Sequence, residues 1–126
     1  MPIVVNTMTG RAWASAAHTE IELVLDNLLR NACRYTRTRV VVSVLASRST
    51  VRVLVDDDGP GVRPEHRSRI FDRFYRVSDD RARASGGAGL GLALVAELVR
   101  RRGGRVAVGE SPDDGARFTV VWPRAD

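Results

Sequence analysis

Apolar residues along the first half of the chain recur with two different periods. From about residue 20 to residue 37 they fall on one face of a predicted helix, at Ile21, Val24, Leu25, Leu28 and Ala32. Residues 40–44 and 51–55 are instead β-branched runs separated by a polar stretch, which predicts a β-hairpin. The short apolar segments 2–9 and 12–16 have the length of strands, and Thr19 and Glu20 are candidate caps of the helix.

The second half repeats this alternation of helical and extended patterns. Pro64 is placed to open a short helix that continues through Phe71, Phe74 and Tyr75. Residues 76–88 are polar and without period, which predicts a mobile loop, and a second amphipathic helix follows and ends at a pair of glycines. Residues 105–108 and 117–122 predict a second hairpin. The sum is an α/β fold in two layers, with helices on one face of a mixed, mostly antiparallel sheet.

Composition places the chain among soluble globular domains. Its 126 residues are 44% hydrophobic and 28% charged, which suits a single domain over residues 1–126. No apolar run has the length of a membrane span, and the single cysteine, Cys33, rules out an internal disulfide. The net charge of +5 comes from dispersed arginines, and only 6% of residues are aromatic, so we expect no nucleic-acid partner.

The absence of one residue type narrows the possible ATP sites. All 20 basic residues are arginine, and the chain contains no lysine. A P-loop requires Gly-Lys-Ser/Thr, and protein kinases of the eukaryotic type require a strand lysine on the phosphates. Both architectures are therefore excluded.

The first helix carries a polar stripe beside its apolar face. Asn27 and Asn31 are four residues apart, and Arg34 and Tyr35 lie one turn further along. An asparagine carbonyl is a suitable ligand for Mg²⁺, which takes its other ligands from water and phosphate oxygens. Arginine can pair with phosphate and a tyrosine ring can stack on a base, although two asparagines at this spacing also occur as local hydrogen-bonding residues.

Two glycine-containing segments add to this stripe. Asp57 ends an apolar strand before the turn that contains Gly59 and Gly61, and a buried carboxylate there can accept a hydrogen bond from the exocyclic amine of adenine. Gly87, Gly89 and Gly91 lie where a loop turns into a helix, whose free N–H groups attract phosphate. Taken alone, the segment from Asp57 to Gly61 fits an ordinary turn as well as it fits a nucleotide site. The second is no dinucleotide-binding motif, because it does not follow the first strand.

Together these segments resemble the GHKL ATPase and kinase superfamily, and most closely the catalytic, ATP-binding domain of bacterial sensor histidine kinases. The likeness spans about residues 19–123. Residues 27–36 resemble the N box, 57–61 the G1 box, 69–76 the F box and 87–92 the G2 box, with 103–104 and 115–118 as the closing segment. The resemblance implies the two-layer Bergerat-type α/β sandwich, with ATP and Mg²⁺ as cofactors.

The resemblance also implies a role for each matching residue. Asn31 would hold Mg²⁺, Asn27 would support the phosphates, and Arg34 would contact them where the family usually has lysine. Tyr35 would face the adenine and Asp57 would bind its amino group. Residues 76–88 would form the ATP lid, with Arg73 and Phe74 at its hinge. The remaining nucleotide-binding positions are Gly59, Gly61, Gly87, Gly89, Leu90, Gly91 and Leu92. Ala88 and Arg102 depart from the usual family pattern.

One position favours phosphotransfer over hydrolysis. Hydrolysing GHKL members carry a glutamate one turn before the metal asparagine, and this chain has Asn27 there. An amide cannot accept a proton at neutral pH, so water would not be activated and ATP would remain for transfer. Alternatives are a GHKL serine kinase of anti-sigma type and a nucleotide-binding module without transferase activity.

The histidines indicate that the phosphate acceptor lies elsewhere. His18 and His66 are the only two, and neither stands in the sequence context of a phosphoacceptor, so both are expected to be plain surface residues. The expected partners are a dimerisation and phosphoacceptor helical domain of the same parent protein and a response regulator. The isolated domain is expected to be a monomer that does not phosphorylate itself. It would be a cytoplasmic part of a membrane-anchored parent, without direct membrane contact of its own.

Overall fold

The computed structural model describes residues 3–7, 13–75 and 90–125. In chain order, their helices and strands are β1 (Ile3–Thr7), α1 (His18–Tyr35), β2 (Val40–Ala46), β3 (Thr50–Asp56), α2 (Pro64–Arg67), α3 (Gly91–Arg101), β4 (Arg105–Glu110) and β5 (Ala116–Pro123). The whole segment predicted as a lid, residues 76–88, lies outside the described residues, and so do the predicted site residues Gly87 and Gly89.

The strands form a five-stranded sheet in the order β1-β2-β3-β5-β4. β1 runs parallel to β2, and the other neighbouring pairs are antiparallel. The mixed, mostly antiparallel sheet and both predicted hairpins are thereby confirmed. Because β3 is central, the turn that follows it begins in the interior of the fold.

The core lies between the sheet and the long helices α1 and α3. Along β5, alternate side chains point into it, and Phe118, Val120 and Trp122 are almost completely buried. Val24 and Leu28 of α1 are buried in the same core, and α3 contributes a further buried set, Val95, Ala96, Leu98 and Val99. Each fully buried side chain of this size contributes about 1.5–3 kcal/mol, so this layer holds the helices in place.

The start of α1 differs from the prediction. The helix begins at His18 with Ala17 as its N-cap, and no side chain caps it, so the predicted cap at Thr19 and Glu20 is wrong. The Glu20 carboxylate instead accepts two hydrogen bonds from Arg102, at 2.8 and 3.1 Å. The first turn of α1 is thereby fastened to the residue that follows α3.

The helix predicted to run from Pro64 through Tyr75 is also shorter than expected. Pro64 does stand in its first turn, but α2 ends at Arg67 and turns follow. A continuous helix would place Phe71 and Phe74, three residues apart, on the same face. Phe71 is buried in the core, whereas Phe74 is 60% exposed and has a positive φ of 64°. Burial of Ile70 and Phe71 therefore decides the chain path here.

Candidate functional site

The asparagine stripe of α1 lies at the edge of the core, as its spacing predicts. Asn27, Asn31 and Tyr35 are half-buried, and Arg34 is exposed in the last turn. Asn27 Nδ2 donates to the carbonyl of Leu23 at 2.8 Å, which fixes the direction of its amide. The stripe therefore presents oriented polar atoms rather than a freely solvated face.

Asn27 meets the beginning of α3 at a close approach. A Cβ placed on Gly91 would lie 3.0 Å from Asn27 Oδ1, so only glycine fits there without displacing the amide. The two residues line one cleft together with Phe71, Arg73 and Leu90. The structure thus joins one residue of the N box, two of the F box and two of the G2 box.

Asn31 carries an unsatisfied polar atom. Its Nδ2 is buried and has no hydrogen-bond partner among the described residues. A buried polar group left unpaired costs about 1–3 kcal/mol, and a bound ligand can remove this cost. Since amide oxygen and nitrogen are distinguished by their hydrogen bonds alone, Asn31 can offer a ligand its NH₂ group as a donor at this position or, after a flip of the amide, its oxygen as an acceptor.

Asp57 occupies the buried position at the end of β3. Its side chain is 3% exposed, and Oδ1 accepts hydrogen bonds from the backbone N–H of Gly59 at 2.9 Å and of Ala116 at 3.1 Å. Oδ2 accepts none from the described residues. One oxygen is thus held by the fold while the other is left for a donor.

A buried serine in the turn between β4 and β5, to which the sequence analysis gave no role, fixes the backbone of Asp57. Ser111 Oγ donates to the carbonyl of Asp57 at 2.6 Å and accepts from the N–H of Gly115 at 3.0 Å. A Cβ on Gly115 would lie 2.6 Å from Asp57 Oδ1, too close for any side chain. The turn between β4 and β5 therefore closes directly over Asp57, and its glycine was the only sequence signal of this contact.

The glycines after Asp57 allow a second close approach. A Cβ on Gly59 would lie 2.9 Å from the carbonyl carbon of Tyr35 and nearer still to its oxygen. Gly61 has a φ of +75°, which favours glycine. Tyr35, Asp57 and Gly59 consequently form one group at the end of α1. This group does not include the residues that line the cleft around Asn27.

Asp58, to which the sequence interpretation gave no role, ties this turn to the residues after α1. Its carboxylate accepts from the hydroxyls of Thr36 and Thr38 and from the N–H groups of Arg37 and Thr38. The Thr36 hydroxyl, followed by the other donors, holds the pKa of the Asp58 carboxyl well below its usual range. The pattern of local residues gave no sign of this contact, because its partners are about twenty residues away.

The histidines lie in different surroundings. His18 is exposed and pairs with Glu22 at 2.7 Å, as a surface residue does. His66 is half-buried, and its Nδ1 is 2.5 Å from the hydroxyl of Tyr75. The Arg69 guanidinium lies over the Tyr75 ring, 4.9 Å from the ring centroid. The prediction of a plain surface residue is therefore wrong for His66, which helps to fix the turns after α2.

The described part of the chain offers no conventional metal cluster or membrane segment. Residues 3–7, 13–75 and 90–125 contain no group of three His, Cys, Asp or Glu side chains that could hold a metal ion. None of the helices in these ranges has both the length and the hydropathy to cross a bilayer.

The two predicted leucines of the G2 box lie at the start of α3. Leu90 is exposed beside the cleft and Leu92 is half-buried.

Comparison with protein-family models gives a match over residues 16–126 to the family described as histidine kinase-, DNA gyrase B- and HSP90-like ATPases. The chain is 42% identical to the sensor protein RstB of Escherichia coli K12 over 119 residues, which are 94% of this chain and 28% of RstB. It is 44% identical to the sensor histidine kinase CpxA of the same organism over 102 residues, 81% of this chain and 22% of CpxA. The chain thus spans about a quarter of the length of these relatives.

Solved structures give the same result for the fold. Full-length ShkA in complex with AMPPNP matches with a TM-score of 0.84 and 33% identity, over 98% of this chain and 26% of ShkA. The mycobacterial sensor histidine kinase MprB matches with a TM-score of 0.80 and 25% identity, over 98% of this chain and 81% of the MprB chain. The predicted two-layer fold is confirmed by these likenesses.

Proposed function

The chain belongs to the histidine kinase-, DNA gyrase B- and HSP90-like ATPases and corresponds to the catalytic domain of sensor histidine kinases, and we propose that it binds ATP with Mg²⁺ for phosphate transfer to a histidine. That histidine would belong to a separate helical domain of the same parent protein, and a response regulator would receive the phosphate next. The observation that carries the proposal is Asp57, a buried carboxylate with one oxygen committed to the backbone and the other open to a donor.

The open oxygen of Asp57 favours adenine over guanine. The exocyclic amine of adenine can donate to Oδ2, whereas guanine presents a carbonyl oxygen at the corresponding ring position, which a carboxylate repels. Gly59 packs directly against the Tyr35 carbonyl, where no side chain fits, so Tyr35 is held against the same turn as Asp57. Gly61 continues this turn with its positive φ. This group is the proposed adenine side of the site.

The asparagine stripe is the proposed phosphate and metal side. Asn31, whose amide nitrogen is buried without a partner among the described residues, fits a site that a ligand completes. Asn31 would supply an amide oxygen to Mg²⁺, while Asn27 and exposed Arg34 would contact phosphate. When bound, Mg²⁺ would neutralise charge on the phosphate oxygens. The Gly91 end of α3 and its neighbours Leu90 and Leu92 would border the triphosphate, with Gly87 and Gly89 before them.

The side chain of Asn27 supports transfer rather than hydrolysis. Its amide is oriented by the Leu23 carbonyl, and an amide has no basic site that could take a proton from water. ATP held beside Asn27 would therefore persist until an acceptor histidine arrives.

We propose that the acceptor domain docks on an exposed apolar surface beside the cleft. Phe74, Leu90 and Leu94 are 60%, 44% and 37% exposed, and Leu90 and Leu94 line the same cleft as Asn27 and Gly91. An acceptor histidine must reach the phosphate end of the nucleotide, so its helix has to cover this rim of the cleft. Arg73, whose guanidinium lies 5.5 Å above the Phe74 ring, would stand at the hinge of the lid. We place the domain in the cytoplasm, where ATP and response regulators are found.

Calorimetric titration of the chain with ATP and GTP, each with and without Mg²⁺, tests the nucleotide site. We expect Mg²⁺-dependent binding of ATP and no comparable binding of GTP. Equal affinity for both nucleotides would contradict the role of Asp57. Transfer is tested by adding a histidine-bearing helical domain of a sensor kinase together with γ-labelled ATP. Acid-labile label is expected on the added domain, and label on this chain alone would contradict the proposal.

A further inference from the structure

The carboxylate of Asp58 concentrates hydrogen bonds from one short segment. Its Oδ1 accepts from the Thr36 hydroxyl at 2.6 Å and from the Arg37 N–H at 2.7 Å. The N–H of Thr38 reaches both oxygens, at 3.1 and 3.2 Å, and the Thr38 hydroxyl donates to Oδ2. Residues 36–38 thus surround a single anion with two backbone and two side-chain donors.

This arrangement determines how the chain leaves α1. Thr36 is the C-cap of the helix and has an extended conformation, with φ −66° and ψ 149°. Consecutive N–H groups directed at one carboxylate form a concave anion site, and here the anion comes from the chain itself. The end of α1 is therefore anchored to the turn after β3 by residue 58 and not by packing alone.

The anchored segment is in direct contact with the adenine side of the proposed site. The carbonyl of Tyr35, one residue before Thr36, lies against Gly59, where no Cβ fits. The N–H of Gly59 in turn donates to Asp57 Oδ1 at 2.9 Å. A shift of the turn relative to α1 would therefore move Gly59 and rotate the Asp57 carboxylate.

On this geometry we propose that Asp58 is a positioning residue for adenine recognition, which sets the place of Asp57 and Gly59 relative to α1. The inference rests on the proposed function, because it assumes that Asp57 receives the adenine amine. Asp58 does not itself touch the nucleotide. The effect of Asp58 should be confined to recognition of the base. The proposed phosphate contact Asn27 is oriented by the Leu23 carbonyl within α1 and does not depend on the turn that Asp58 anchors.

The test compares ATP with inosine triphosphate, which has the same phosphates and lacks the 6-amino group. In Asp58→Asn one carboxylate oxygen becomes an NH₂ group, which cannot accept from Thr38. We expect its affinity for ATP to fall by about 5- to 20-fold, roughly the effect of weakening one hydrogen bond at the base. Its affinity for inosine triphosphate should change by less than about 2-fold, so the ratio of the two affinities decreases.

A second pair of variants separates positioning from stability. Thr36→Val removes the hydroxyl donor and keeps the shape, and we expect it to lower the ratio as well. Thr36→Ser retains the hydroxyl and should keep the wild-type ratio. Glu22→Gln, on an exposed carboxylate paired with His18, is the charge control and should also leave the ratio unchanged.

The outcomes distinguish the inference from the proposed function. If the wild-type chain does not prefer ATP to inosine triphosphate, the proposed role of Asp57 fails and the inference fails with it. If the wild type does prefer ATP but Asp58→Asn and Thr36→Val keep that preference, the positioning role alone is wrong. Equal weakening of both nucleotides with a lower melting temperature would show a merely structural role and also overturn the inference.

Discussion

Gly115 is the residue whose substitution should disturb the proposed site most directly. In Gly115→Ala the new Cβ would lie 2.6 Å from Asp57 Oδ1 and 2.7 Å from its carbonyl carbon. Neither atom can move away easily, because Asp57 is bound on both sides by Ser111 and Ala116. The substitution therefore has to separate the turn between β4 and β5 from the end of β3.

The expected cost follows from these contacts. Overpacking of a filled interior costs about 1–3 kcal/mol. Loss of the hydrogen bond from the Ala116 N–H to the carboxylate adds about 1.5–3 kcal/mol. We therefore expect the free energy of unfolding to fall by about 2.5–6 kcal/mol, a large part of the roughly 5–15 kcal/mol that stabilises a domain of this kind. ATP affinity should fall as well, since Asp57 is displaced.

Urea denaturation measures the first effect and calorimetric titration with ATP the second. Gly109→Ala is the matched control, because a Cβ at Gly109 meets nothing within 4 Å. Its stability should equal that of the wild type or exceed it by about 0.5–1 kcal/mol, the advantage of alanine over glycine within a strand. If Gly115→Ala and Gly109→Ala unfold at the same urea concentration, the tight fit between Gly115 and Asp57 is refuted.

Three further outcomes are expected. Asp57→Asn should weaken ATP binding by about 10- to 100-fold, because a charged acceptor is lost in a buried position, and an unchanged calorimetric affinity would contradict its role. Asn31→Ala should make nucleotide affinity independent of Mg²⁺, and a persisting Mg²⁺ effect in the same titration would reject Asn31 as a ligand. Asp58 has a pKa well below its usual range in the folded chain, so its stabilising effect is complete above about pH 4 and is lost as the pH falls further. The melting temperatures of wild type and Asp58→Asn should therefore differ constantly from pH 6 to 8 and converge in acid, whereas a difference that persists in acid would contradict this.

Features that depend on near neighbours in the chain could be predicted from the sequence. Asn27 and Asn31 share a face because they are four residues apart on a helix that its own apolar residues specify. The hairpin of β2 and β3 follows from two β-branched runs joined by a short polar turn. The family resemblance rested on ordered local motifs of the same kind, and the comparisons confirm it.

Contacts between distant segments could not be predicted in this way. Ser111 and Asp57 are 54 residues apart, and Asp58 and Thr36 are 22 residues apart, so no local sequence pattern predicts either hydrogen bond. The early end of α2 has the same origin, since burial of Ile70 and Phe71 against the sheet overrides helical continuation. Local pattern was therefore sufficient to predict the two long helices, the hairpins and the kind of residue offered to a nucleotide. Which oxygen of Asp57 remains without a hydrogen bond from the described residues could be seen only in the tertiary structure. It depends on how the end of β3, the turn after it and the turn between β4 and β5 come together around the carboxylate.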